Sequence, residues 1–290
     1  MDERDWLAQR FDKERPHLVA VAYRMLGSLA EAEDAVQETW VRLSRVDPSS
    51  VDNLGGWLTT VVGRVCLNVL RSRKNRRENS LDTHVTESIA TNDERTDPEK
   101  EALLADGVGL ALLVVLEALD PPERLAFVLH DMFDVPFEEI AQVVGRSPAA
   151  ARQLASRARR RVRGTRRIPE RELAGQREVV DAFLAASRRG DFDALVALLD
   201  PDVVLHADDT AVARGAVRML RGAVAVAEAS LVHRARLARP ALVNGEVGVV
   251  IGQRGQLTLV LRPTIDAGRI VELEVLADPD SLRALEVAVL

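Results

Sequence analysis

Residues 136–162, PFEEIAQVVGRSPAAARQLASRARRRV, hold the pattern on which the reading of the chain turns. PFEEIAQVVG reads as a short amphipathic helix opened by Pro136 and closed by Gly145, a residue suited to the left-handed conformation that ends helices. Ser147 then suits an N-cap, with Pro148 in the first turn of a second helix. At about 100° per residue, Ala151, Leu154, Ala155, Ala158 and Val162 fall on one arc, and Arg152, Gln153, Ser156, Arg157 and Arg160 on the other. Helix, tight turn, helix is the arrangement that lays a second helix in a DNA major groove. There arginine pairs with guanine O6 and N7 and glutamine with adenine N6 and N7, while Arg159, Arg161, Arg163, Arg166 and Arg167 are better placed for phosphates. The plain alternative is a solvated basic face with no nucleic acid.

This basic segment stands in a chain of 290 residues with a formal net charge of -6, so DNA contact is expected to be focused on patches. The length favours two or three domains, and a hydrophobic content of 47% supplies cores for them. Lysine occurs only at positions 13, 74 and 100; arginine carries nearly all the positive charge, which suits phosphate and guanine recognition but equally fits a composition rich in Arg and Ala. Cys66 is the one cysteine, so an intramolecular disulfide is excluded and a thiolate zinc site is not expected. His17, His84, His130 and His233 show no ligand spacing. Neither a metal nor a cofactor is implied. MDERDWLAQRFDKE at the start lacks the apolar core of a signal peptide, and the longest apolar run, VGLALLVVLEAL at 108–119, is too short to span a bilayer. A cytoplasmic protein with no membrane partner is expected.

Residues 1–77 read as helices with one polar interruption, DPSSVDNLGG at 47–56. The acidic stretch 78–101 has no apolar period and reads as a flexible linker, followed by a second helical block over 102–167. Within EDAVQETWVRL at 33–43, Val36, Trp40 and Leu43 make a core stripe, and Asp34, Gln37, Glu38 and Val41 lie opposite as a candidate docking face. NLGGWLTTVVGRVCLNVLRSRKNRR at 53–77 is an apolar helix ending in more cations than helix capping requires, so it reads as a second phosphate-binding surface.

LAEAEDAVQETWVRL, then GGWLTTVVGRVCLNVLRSRKNRR, an acidic linker, and LDPPERLAFVLHDMFDVPFEEIAQVVGRSPAAARQLASRARRRV resemble, in order and spacing, the extracytoplasmic-function sigma factors of bacterial RNA polymerase. The resemblance covers about residues 8–165. It implies two all-α sigma domains: region 2 over 1–77 and region 4, with the helix-turn-helix, over 102–167. It implies that Asp34, Gln37, Glu38 and Val41 bind core polymerase. It further implies that Asn53, Asn68, the loop 52–56, Arg71, Arg73, Lys74 and Arg76 engage the -10 element, and that Ser147, Arg152, Gln153, Ser156, Arg157 and Arg160 read the -35 element. A flexible linker would let two weak DNA modules span one promoter and multiply their affinities.

After a short linker at 168–175 the pattern changes to α+β over 176–290. ARLARPALV, EVGVVIG, QLTLVLRP and RIVELEVLA are separated by Asn244-Gly245, Gly255 and Asp266-Ala267-Gly268, which is hairpin punctuation. Leu257, Leu259 and Leu261 are expected on one face of their strand, and Val271, Leu273 and Val275 on one face of another, so residues from about 174 are expected to fold alone. REVVDAFLAASRRGDFDALVALLDPDVVLHADD and TLVLRPTIDAGRIVELEVLADPDSL resemble the SnoaL/NTF2-like cone-shaped barrels. Sigma factors carrying such a domain form a group in which it is thought to regulate the sigma modules through intramolecular contact. That group's Trp-Leu-Pro linker motif is represented here only by Pro169, its Asp-Gly-Gly-Gly-basic loop appears as Asp208 to Arg214 without glycines, and its closing Asn-Pro-Asp-Lys-Leu appears as Asp278 to Leu282. His206, Asp208, Asp209 and Arg214 mark a candidate pocket or interface. A small-molecule ligand, a SnoaL-like isomerase or hydrolase carrying a DNA-binding appendage, and a helix-turn-helix regulator working without polymerase stand as the rival readings.

Overall fold

The computed structural model describes residues 3–46, 53–80, 109–164, 168–231, 237–253 and 256–290. Most of the expected acidic linker, together with His84, Arg166, Arg167, His233 and residue 52, lies outside these. The described chain divides into two compact units, residues 1–108 with 118–160, and 109–117 with 161–290.

The first unit is helical. Helices α1 (Glu3–Leu26), α2 (Leu29–Leu43) and α3 (Leu54–Ser80) bury Leu18, Val21, Met25, Val36, Leu43, Leu58, Val62 and Leu67 against one another. Asn53 Oδ1 accepts the Gly56 N–H at 3.1 Å. Within the stretch expected as a loop, residues 53–56 are therefore an N-cap and the first turn of α3, because Asn53 satisfies a helix-start donor that would otherwise face water. Cys66 is fully buried on α3, and desolvation pushes its thiol up to about 12.

The chain then leaves this unit. Helix α4 (Leu110–Glu117) is apolar on all sides, as a helix enclosed on all sides should be, and it belongs with the C-terminal residues. Helix α5 (Pro121–Phe127), a π-helical turn (Val128–Met132), α6 (Phe137–Val144) and α7 (Pro148–Arg163) follow, all but the last turn of α7 lying in the helical unit. A side chain at Gly63 would press on Leu125 and Leu129, so this glycine sets how closely α3 and α5 approach. Arg124 on α5 is 2% exposed, and its Nε and Nη2 donate to the Arg24 carbonyl of α1 at 3.1 and 3.0 Å. Burying a guanidinium is costly unless its donors are used, and here they close the C-terminus of α1.

The second unit is α+β. Helices α8 (Glu170–Arg189) and α9 (Phe192–Leu198) lead into β1 (Leu199–Ala207), α10 (Asp209–Ala213), β2 (Met219–Arg221) and α11 (Ala223–Ser230). Strands β3 (Arg239–Val243), β4 (Glu246–Gln253), β5 (Gln256–Asp266) and β6 (Arg269–Leu276), helix α12 (Pro279–Ala284) and β7 (Val287–Ala288) complete it. The sheet runs β2-β1-β6-β5-β4-β3-β7, and β1 with β6 is its parallel pair. This is an α+β domain, helices packed on a mostly antiparallel sheet, as the sequence pattern led one to expect. Asn244 and Gly245 take φ 52° and 86°, and Ala267 and Gly268 take 47° and 77°, the paired left-handed conformations that match a hairpin turn to strand twist.

Two expectations fail at bulges. The pairing slips between Ile251 and Gly252, so Leu257 leaves the face of Leu259 and Leu261 and packs with Val250 and Val260. A second slip between Thr264 and Ile265 lets Ile270, not Val271, join Leu273 and Val275 in the main core. One inserted residue turns a period-two strand over. The expected linker 168–175 also differs: α8 starts at Glu170, Leu173 is in the core, and Ile168 packs against it.

The sheet thus has two apolar sides. Ile251, Leu259, Leu261 and Leu273 face α8 and α11, whereas Ala241, Val243, Val250 and Val260 share a cluster with Ala111 and Val114 of α4. At the far end, the Val289 N–H donates to the Val162 carbonyl of α7 at 3.0 Å.

Candidate functional site

On α7 the inward arc is buried at Ala151, Leu154, Ala155 and Ala158, and Arg152, Gln153, Ser156, Arg157 and Arg160 are exposed. The small side chains let α7 pack closely, and Gly145 at φ 70° lets the Arg146 N–H bond back to the Ala141 carbonyl at 3.0 Å, fixing the turn. Ser147 caps α7, its Oγ accepting from the Ala150 N–H at 3.2 Å. Its hydroxyl serves the helix start first.

Three arginines of α7 lie beside acids. Arg152 lies 3.1 Å from Glu138 and over the Phe137 ring at 5.5 Å, Arg157 is 3.9 Å from Glu123, and Arg159 is 2.5 Å from Asp131. The Arg152–Glu138 pair is exposed on both sides and contributes about 0–1 kcal/mol, so nucleic-acid groups can replace it at small cost, whereas the shielded carboxylates of Glu123 and Asp131 also serve the fold.

The α3 candidates separate into two kinds. Asn68, Arg71 and Arg76 are exposed, and so is Arg64, which spacing from Asn68 by four residues adds to the same stripe. Arg73 turns inward, bonding the Leu26 carbonyl at 3.3 Å and the Glu31 carboxylate, and Lys74 is 2.9 Å from Asp120. Arg73 therefore acts as a tie between α3 and the α1–α2 corner.

Asp34, Gln37, Glu38 and Val41 form an exposed stripe on α2, with Glu38 in an i,i+4 pair with Arg42 at 3.1 Å. Beside it, a groove of about 430 Å³ between α1 and α2 is lined by Asp12, Arg15, Asp34, Gln37 and the Phe11–Trp40 ring pair, whose centroids are 5.0 Å apart. A polar rim beside a tilted aromatic pair is a surface suited to a protein partner.

The C-terminal candidates scatter. A half-open cavity of about 430 Å³ lies between the sheet, α8 and α11, and Arg214 lines it while His206, Asp208 and Asp209 do not. His206 is 3.8 Å from Glu272, and Asp209 pairs with Arg218 at 2.5 Å. Asp208 caps α10 through the Ala211 N–H at 2.7 Å, and its other oxygen accepts from Ala277 and Asp278 at 2.6 and 2.8 Å. Burial pushes the Asp208 carboxyl up, but these backbone donors outweigh it and hold it below the usual carboxylate range. The Asp208 and Asp278 motifs, 70 residues apart, thus meet as one structural staple. Only that long-range meeting could have revealed it, and no local period carries it.

Comparison with known proteins follows these surfaces. Residues 10–76 match the family Sigma-70 region 2, and residues 109–162 match Sigma-70, region 4. The chain is 41% identical over 285 residues to the ECF RNA polymerase sigma factor SigJ of Mycobacterium tuberculosis, covering 93% of this chain and 91% of that protein. It is 36% identical over 290 residues to SigI of the same organism, with 98% of each chain covered. The crystal structure of Mycobacterium tuberculosis SigJ superposes with a TM-score of 0.46 at 36% identity, over 95% of this chain and 98% of that one.

Proposed function

The chain belongs to the extracytoplasmic-function sigma factors of bacterial RNA polymerase, and from that premise we propose how its parts divide the work of initiation. It binds core polymerase and directs it to promoters. The α2 stripe of Asp34, Gln37, Glu38 and Val41 takes the polymerase; Asn53, Asn68, Arg71 and Arg76, joined by Arg64 and released Lys74, take the -10 element; Arg152, Gln153, Ser156, Arg157 and Arg160 take the -35 element. The observation that carries this reading is the pair of uninterrupted exposed faces, acidic and amide on α2 and arginine-rich on α7, each backed by a buried apolar stripe. Work on a chromosomal template places the protein in the cytoplasm. Among the described residues, no helix is long and apolar enough to cross a membrane.

The C-terminal domain regulates these modules in cis. Support comes from the membership of the second unit: α4, with which the region 4 match opens, and the last turn of α7 both pack with the sheet. The domain is not assigned catalysis. Among the described lining residues of its cavity, Ser187 and Ser230 are the hydroxyl groups, and both donate their hydrogens to main-chain carbonyls; no carboxylate, imidazole or thiol joins them. An isomerase or hydrolase needs a base within reach of a substrate proton.

Run-off transcription with core polymerase, comparing the full chain with one cut after Arg167, tests the whole reading. Initiation that needs both the protein and polymerase, with output changed several-fold by the cut, is expected. Tight sequence-specific binding of the free protein, unchanged by polymerase, would instead favour a regulator acting alone. Equal output from both chains would remove regulation in cis.

A further inference from the structure

We propose that the cavity of the C-terminal domain is a binding site for a small amphipathic monoanion, an apolar body carrying one carboxylate. The cavity is a pocket of a size that holds small ligands, about 430 Å³, and its wall is built from Phe183, Leu184, Leu205, Ile251, Leu259 and Leu273. Leaving such a wall to water is unfavourable, and an apolar body repairs it.

The polarity of the rim selects the other end of the ligand. Arg214 is the charged residue among the described lining, and its Nη1 donates to the Thr258 carbonyl at 2.9 Å. That bond fixes the guanidinium at the β5 rim and uses one of its five N–H donors. The hydrogens of Ser187 and Ser230 are already committed, so both hydroxyls offer lone pairs only. Among the described lining residues a cation would meet Arg214 with no acid to offset it. A carboxylate gains charge-assisted hydrogen bonds there while its tail fills the cavity. Among the described lining residues there is no general base, so the occupant is held and not transformed.

The site stands on the cavity alone and is read without polymerase or DNA, so its failure leaves the sigma-factor reading untouched. The test is isothermal titration calorimetry of the full chain with decanoate and with decan-1-ol, which share a tail and differ in charge. Saturable 1:1 binding of decanoate, tighter than decan-1-ol, is expected. Arg214→Leu should weaken decanoate about tenfold or more and leave decan-1-ol unchanged. Ala216→Trp, filling the cavity, should abolish both, with circular dichroism to verify its fold. Arg214 is exposed, so the first variant decides the matter even if the second does not fold. The proposal is overturned by absence of saturable decanoate binding, by equal affinity for the alcohol, or by an Arg214→Leu protein that binds decanoate as the wild type does.

Discussion

Helices α4 and α7 both lie in sigma region 4, yet they solve opposite problems. Apolar α4 shares a cluster with the outer side of the sheet, and α7 keeps one thin stripe of alanine and leucine while facing water with arginine and glutamine. The first has no role that a solvent-exposed helix could perform; the second has none that a buried one could. Region 4 is thus not a closed module in this chain. Its opening helix and the last turn of α7 belong to the fold that follows it.

The hardest blow to this contrast is a charge on the buried helix. Val114→Asp places a carboxylate against Val250 and Val260 and should cost about 3 kcal/mol or more, whereas Gln153→Ala on α7 should stay within about 0.5 kcal/mol. Thermal unfolding followed by circular dichroism distinguishes the two; equal melting temperatures would mean that α4 does not serve the sheet.

A sharper probe of the exposed helix is its base reading. Arg152→Ala or Arg157→Ala should cost about 1–3 kcal/mol of promoter affinity and relax selectivity at -35 positions. Arg163→Ala should weaken all promoters alike. Initiation assays on a promoter library measure this, and an equal loss on every sequence for all three would withdraw the base readers.

Smaller effects follow at the staple and the surface. Asp208→Asn should destabilise the C-terminal unit by about 1 kcal/mol at neutral pH. Because the folded-state pKa is depressed, this stabilisation is present above the ordinary aspartate value of about 3.9 and is lost as pH falls through the lower folded value. The melting curves of variant and wild type should therefore converge in strong acid. Smallest for stability is the removal of Asp34 and Glu38 together, about 0.5 kcal/mol or less for the broken Arg42 pair. The same double alanine variant should lose polymerase in a pull-down.

What the sequence conveyed depended on whether a period ran unbroken. On α2 and α7 the 3.6-residue rhythm meets no interruption, so the buried and exposed residues follow from it, apart from Trp40 and Val162, which are half-buried. On β5 and β6 a single bulge each moved Leu257 and Ile270 across the sheet, because a period of two has no tolerance for an inserted residue. Ownership was the other loss. The run LALLVVLE announces a buried helix but not which sheet buries it, since an all-round apolar helix carries no face to match. Likewise Arg73, in the cation run of α3, and Asp208, in the loop that resembles the group's motif, read as functional side chains. Their partners, Leu26 with Glu31 and Ala277 with Asp278, lie too far along the chain for any local pattern to name.

Cys66 carries a practical consequence for studying these units. The sole cysteine of the chain sits fully enclosed on α3, with its thiol pushed up to about 12 by desolvation, so almost none of it is thiolate at neutral pH. The native protein should therefore react little with maleimide reagents, which a labelling assay on the unmodified chain checks. Cysteines introduced one at a time at exposed positions such as Gln153 and Met219 would accept fluorophores without background, and a doubly labelled chain would report by energy transfer how the distance between the two units changes when polymerase is added.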